Sequence, residues 1–160
     1  MAHIRKISIY DMDGTIVDSS HRYRTVMDSQ GNTKIDLEYW RANEYKAMDD
    51  GLLPLADQYM AELIDPSVYV IIATARVMAS SADWKFVDEI LGKPDYLISR
   101  KPGDSISGAQ LKINGLQKFF NLRQFRKADA VFYEDNTLYL KAVCDHFNIR
   151  GVYIPSKQGH

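Results

Sequence analysis

Short apolar runs recur along the chain with helix-period stretches between them, the signature of βαβ units and a parallel sheet. Ile7-Ser8-Ile9-Tyr10 closes on Asp11, and Val68-Tyr69-Val70-Ile71-Ile72-Ala73 closes on Thr74. Tyr96-Leu97-Ile98 is a shorter third run, Ala130-Val131-Phe132-Tyr133 closes on Glu134-Asp135, and Val152-Tyr153-Ile154 is stopped by Pro155. The second run is β-branched and nearly continuous, which predicts a strand covered on both faces. Apolar residues at helical spacing predict helices over Pro54 to Ile64, Ala82 to Leu91, Gly108 to Phe120 and Thr137 to Phe147. The expected fold is α/β: a three-layer, Rossmann-like, doubly wound parallel sheet.

More than fifty residues separate the first two strands, too many for a simple crossover. Part of the stretch from Ser19 to Gly51 is expected to be a small helical insertion, because Leu37, Tyr39, Trp40 and Tyr45 argue against a bare loop. The 160 residues otherwise fit one domain, 1–160, with a cap-like insertion at about 19–51. No repeat or low-complexity linker interrupts it.

Composition removes several classes. With 46% hydrophobic and 26% charged residues the chain has the make-up of an ordinary globular protein. No apolar run approaches the roughly 20 residues a bilayer span needs, and no signal peptide precedes the first strand, so a cytoplasmic location is expected. A net charge of −1 argues against a broadly basic, nucleic-acid-coating surface. The single cysteine, Cys144, allows neither an intrachain disulfide nor a thiolate zinc cluster, and its apolar neighbours predict a core thiol.

In a doubly wound sheet the strand C-termini converge on the ligand site. The polar residues there are Asp11 and Asp13, Thr74, and Glu134 with Asp135. Acids and a hydroxyl so placed suit a hard cation, Mg²⁺, and a phosphate. In Asp11-Met12-Asp13-Gly14-Thr15 two carboxylates reach one space, and Gly14 permits a sharp turn that exposes backbone N–H groups to an anion. One carboxylate can attack phosphorus while the other, protonated, serves the leaving oxygen. The bland alternative is an acidic turn at a strand end.

These residues resemble the haloacid dehalogenase superfamily of phosphohydrolases. Its first motif, D-x-D-G-[TS], is matched by Asp11 to Thr15, its second by Thr74 in Ile72-Ala73-Thr74-Ala75-Arg76, and its fourth by Glu134-Asp135. For the third, Lys112 is preferred to Lys101 because it lies about one helix and one loop before Glu134. The resemblance implies a Mg²⁺-dependent phosphomonoester hydrolase. Asp11 would be nucleophile and metal ligand, forming an aspartyl-phosphate. Asp13 would be general acid and then base, binding metal through its backbone carbonyl. Thr74 would hydrogen-bond the phosphoryl group, with Gly14, Thr15 and Ala75 beside it, and Lys112 would neutralise its charge. Glu134 and Asp135 would hold Mg²⁺. Glu stands here where many members have Asp, so either of the pair is a candidate for direct contact.

A weaker resemblance joins Thr74-Ala75-Arg76 and Arg100-Lys101-Pro102-Gly103-Asp104 to the phosphatase half of bacteriophage polynucleotide kinase-phosphatases. It implies a phosphoester substrate that includes a nucleic-acid end, a 3′-phosphate, with Arg76 and Arg100 on substrate phosphates. A structural ion pair for each arginine is an equal alternative. No G-x-x-x-x-G-K-[ST] string accompanies it, so there is no P-loop kinase half. His21-Arg22-Tyr23-Arg24 would steer an anion or form a solvated helix face. Tyr39 and Trp40 would stack on a base, though filling a core is the commoner role of such aromatics. The competing functions are a small-molecule nucleotide or sugar-phosphate phosphatase of the same superfamily and a non-catalytic phosphate-binding module. A signalling receiver domain ranks below both: no acceptor Asp follows the third strand, and the first motif has the wrong spacing.

Overall fold

The computed structural model describes residues 3–156. The chain enters through β1 (Lys6–Tyr10), then β2 (Val17–Asp18), a hairpin of β3 (Thr25–Met27) and β4 (Thr33–Ile35), α1 (Leu37–Ala42) and β5 (Gly51–Leu52). There follow α2 (Ala56–Leu63), β6 (Val68–Val77), α3 (Ser81–Phe86), β7 (Tyr96–Arg100), α4 (Gly108–Phe120), β8 (Asp129–Glu134), α5 (Thr137–Phe147) and β9 (Arg150–Tyr153). Five strands form a parallel sheet in the order β7-β6-β1-β8-β9. The chain therefore winds outward on one side of β1, returns, and winds outward on the other. That reversal of strand order flanks the C-terminal end of β1, where ligands of such sheets bind.

Alternation along the strands builds a core on each face. Val68, Val70 and Ile72 of β6 point to one side with Val131, Tyr59, Phe86 and Leu91. Ile71 and Ala73 point to the other with Ile7, Ile9, Leu116, Phe119, Phe132 and Val143. The polar positions of β1 are satisfied by α2: Ser8, Lys6 and Tyr10 all hydrogen-bond Glu62, and Gln58 donates to the Tyr10 hydroxyl. Burying them costs little because each finds a partner. Cys144 packs at the margin of the second core, and burial pushes its thiol up to about 11.

Side-chain caps fix where the helices start. Ser107 accepts from the Gln110 N–H at 3.1 Å and Asn136 from Tyr139 at 3.0 Å, while Ser80 and Asp83 form a reciprocal capping box. The helix expected to run to Leu91 stays α-helical only to Phe86. It then widens over Val87–Leu91 and closes with the Gly92 N–H donating to the Val87 carbonyl at 2.8 Å.

Residues 19–50 leave and return on a two-stranded stem, Val17 opposite Leu52 and Asp18 opposite Gly51. The expected helical insertion holds 3₁₀ stretches at Ser20–Arg22 and Glu44–Asp49 and the helix α1, but also carries a β-hairpin. Thr25-Val26-Met27 and Thr33-Lys34-Ile35 supply its β-branched strands. Asp28 shapes its turn by accepting from the Gln30 and Asn32 N–H groups, each at 2.9 Å. Among the described residues no helix is long and apolar enough to cross a membrane.

Phe132, fully buried in the second core, sets a stability expectation. Phe132→Ala should cost about 3–5 kcal/mol in urea unfolding. Leu138→Ala, on the exposed face of α5, should stay within about 0.5 kcal/mol.

Candidate active site

Asp11, the residue after β1, stands at the centre of the sheet's C-terminal edge, and its N–H donates to the Tyr133 carbonyl of β8. Lys112 Nζ donates to Asp11 Oδ1 at 3.0 Å and to Glu134 Oε1 at 2.6 Å. Thr15 Oγ1 donates to Asp11 Oδ2 at 3.0 Å. Carboxylate oxygens of Asp11, Glu134 and Asp135 lie within 4.8 Å of one another, and all three residues are buried. Lys112 reaches them from the second turn of α4. Gly108, one turn earlier, allows that approach: a Cβ there would sit 2.5 Å from the Tyr139 ring. Lys101, the rival lysine, is exposed.

Three carboxylates around one ammonium set the charge states. Burial raises the pKa of Asp11, but the Lys112 charge and hydrogen bonds outweigh it, so the carboxyl is lowered and ionised. Burial likewise opposes the Lys112 charge, yet Asp11 and Glu134 hold its pKa above the ordinary lysine value. Glu134 is pushed well up by burial and by Asp11. Asp135 is pushed up to about 8 by burial and by the neighbouring Asp11.

The two members of the acidic pair differ in their bonding. Glu134 accepts from Lys112 through Oε1, and from the Asp135 and Asn136 N–H groups through Oε2 at 3.0 and 3.3 Å. Both Asp135 oxygens are buried and meet no donor in hydrogen-bonding geometry. Orphaned carboxylate oxygens beside two further acids are what a divalent cation satisfies. The donor set fits Mg²⁺, and Asp135 has the freer oxygens. Gly14 makes room for them: its φ is +83°, and a Cβ would fall 2.1 Å from Asp135 Oδ2.

Thr74 is buried where β6 bulges. Ala73 pairs with Ile98 and Val77 with Arg100, so four residues of β6 advance against two of β7. The strand expected to stop at Thr74 thus runs on to Val77. The bulge aims Arg76 inward, where it contacts Asp13 by two nitrogens, Asp83 at 2.9 Å and Asp50 at 3.2 Å. Ser19 also donates to Asp13, at 2.7 Å. Arg76, a candidate for substrate phosphate, is 5% exposed and engaged by three carboxylates, the ion-pair alternative. Arg100 lines the cleft but donates to the Ala75, Asp104 and Ile106 carbonyls, bracing the loop after β7.

Arg22, expected on an anion-steering or solvated face, is instead fully buried and holds Asp50 through Nε at 2.8 Å and Nη2 at 3.1 Å. Asp50 and Asp83 were not among the expected site residues. Each looks like an ordinary surface acid in sequence, and only the fold brings them onto Arg76. A cavity of about 620 Å³ runs from Asp11, Asp13 and Lys112 past Arg76 to Ile35, Leu37, Trp40 and Ile106.

Solved structures with this arrangement of sheet and helices include a haloacid dehalogenase-like hydrolase. The hydrolase SP0104 of Streptococcus pneumoniae superposes with a TM-score of 0.64 at 15% identity, over 98% of this chain and 89% of that one. CbbY of Rhodobacter sphaeroides gives 0.62 at 14%, over 98% and 90%. A chain of the Pnkp1/Rnl/Hen1 complex gives 0.67 at 17%, over 97% and 47%. The chain has the haloacid dehalogenase-like fold, as its motifs predict. The family model described as bacteriophage T5 5′-deoxynucleotidase matches residues 1–98, and the chain belongs to that family. The 5′-deoxynucleotidase of Escherichia phage T5 is 39% identical over 104 residues, which are 63% of this chain and 36% of that protein's length.

The cation at the centre of the cluster gives a direct test. Lys112→Met leaves buried carboxylates unpaired and should cost about 3–5 kcal/mol in chemical denaturation without divalent ions. Lys101→Met, at an exposed position, should change stability by less than about 0.5 kcal/mol.

Proposed function

We propose that this protein is a Mg²⁺-dependent phosphatase of nucleoside monophosphates that passes the phosphoryl group through Asp11. The carrying observation is the Asp11 carboxyl group, fixed by Lys112 and Thr15 beside the unsatisfied oxygens of Asp135. Family membership supports a nucleotide as the substrate. Residues 19–50 act in this reading as a small cap on a single catalytic domain.

One Asp11 oxygen attacks phosphorus as the bond to the leaving oxygen breaks, giving an aspartyl-phosphate. Asp13, protonated, delivers its proton to that oxygen. The Asp13 carboxylate then takes a proton from water as its oxygen attacks phosphorus, the bond to Asp11 breaks, and inorganic phosphate leaves. The clamp of Arg76 and Ser19 on Asp13 suits the second step, where Asp13 is a base. The first step requires that clamp to loosen as Asp13 takes up a proton. Lys112 stays beside Asp11 and neutralises charge gathering on the phosphoryl oxygens, and Thr74 offers its hydroxyl to the same group. Asp11, Asp135 and the Asp13 carbonyl would hold Mg²⁺, with Glu134 fixing Lys112. The ion supplies charge neutralisation and alignment of the phosphoryl group.

Two measurements follow. Phosphate release from p-nitrophenyl phosphate should require Mg²⁺, stop with EDTA, and fall by about 10³-fold or more in Asp11→Asn, which loses the nucleophile. Wild-type turnover in Asp11→Asn would remove Asp11 from that role. A panel of deoxynucleoside 5′-monophosphates, a 3′-phosphorylated oligonucleotide and sugar phosphates should favour the mononucleotides. Preference for the oligonucleotide would make a polynucleotide end the substrate, and preference for sugar phosphates would reject a nucleotide altogether.

A further inference from the structure

We infer that Trp40 is the base platform of the site and makes the nucleobase the main source of substrate discrimination. This rests on the nucleotide phosphatase reading and deepens it. Of the two aromatics on α1 considered for stacking, Tyr39 is covered by the Arg24 guanidinium at 4.5 Å and does not line the cavity. Trp40 does line it. The Arg22 guanidinium sits 4.1 Å from the Trp40 ring centroid and that of Arg76 at 5.7 Å. Both arginines are hydrogen-bonded to Asp50.

That backing is rigid. Arg22 is fully buried and pinned by two bonds to Asp50, so the indole is supported by a fixed, planar cation. The Tyr23 ring packs beside the indole with centroids 6.4 Å apart, and the indole lines the cavity. The cavity is lined by the apolar Ile35, Leu37 and Ile106, which suit the faces of a base, and by Lys34, Arg41 and Glu44, which can pair its polar edge. The same cavity is lined by Asp11, Lys112 and Asp135. Arg76 touches Asp13 and lies 5.7 Å from the Trp40 ring centroid, which links the two groups. A cavity of about 620 Å³ has room for a phosphate, a pentose and a base together.

The test compares deoxyadenosine 5′-monophosphate with its abasic counterpart, 2-deoxyribose 5-phosphate. The ratio of their kcat/KM values should fall about tenfold or more in Trp40→Leu, carried by KM for the nucleotide, and should largely persist in Trp40→Phe. An unchanged ratio in Trp40→Leu overturns the inference. Binding gives a second readout that needs neither turnover nor a Trp40 variant. The chain has two tryptophans, so Asp11→Asn combined with Trp84→Phe reports Trp40 alone. Deoxyadenosine 5′-monophosphate should quench its fluorescence saturably and 2-deoxyribose 5-phosphate should not; equal or absent quenching by both overturns the assignment. Failure of the wild type to hydrolyse any ester would sink the phosphatase reading, whereas hydrolysis without discrimination would sink only the base platform.

Discussion

The cost of burying charge governs this molecule. Asp11, Glu134 and Asp135 meet at the end of two adjacent strands, out of water, where like charges repel strongly and each loses its hydration. Lys112 offsets part of that cost and does so asymmetrically. By holding Asp11 and Glu134 it keeps the first ionised and occupies the second, which leaves the deficit on Asp135. One lysine's choice of partners therefore sets the bonding of the three carboxylates apart. The side chain can reach both only because α4 begins at Gly108, packed on Tyr139.

A second consequence lies in the paired strands. Asp11 and Asp135 follow β1 and β8, which run parallel in register, Tyr10 opposite Tyr133. Residues just past the ends of neighbouring parallel strands necessarily come close, so the sheet itself forces the acids together. Thr74 and Arg76 need more, because β6 extends beyond the point where a regular strand would release them. Its bulge opposite β7 turns the backbone so that Thr74 is buried and Arg76 swings back over Asp13.

This explains what was legible in the sequence and what was not. The five strands and four of the helices were visible because burial on one or both faces imposes a period that survives in the order of residues. The acid-bearing strand ends were visible because position in a doubly wound sheet implies convergence. Lys112 could be preferred to Lys101 on spacing, but its two bonds depend on packing no spacing encodes. The Arg22, Asp50, Arg76 and Asp83 cluster had no signal of its own. Arg22 occupies a polar string that reads as solvated, yet the fold buries it against Asp50 and the Trp40 ring. The hairpin was missed for a related reason: its strands are short and largely exposed, so no apolar alternation marks them.

The stem joins two tasks that could have been separate. Asp50, at its end, is the shared acceptor of Arg22 and Arg76, and these arginines serve different neighbours, Trp40 in one case and Asp13 in the other. Three carboxylates, Asp13, Asp50 and Asp83, face these two guanidiniums inside the protein, and His21 adds a further partner to Asp50, so the charges are held as one network. The insertion is thus tied to the sheet: Asp50 links the arginine against the Trp40 ring to the arginine that clamps Asp13.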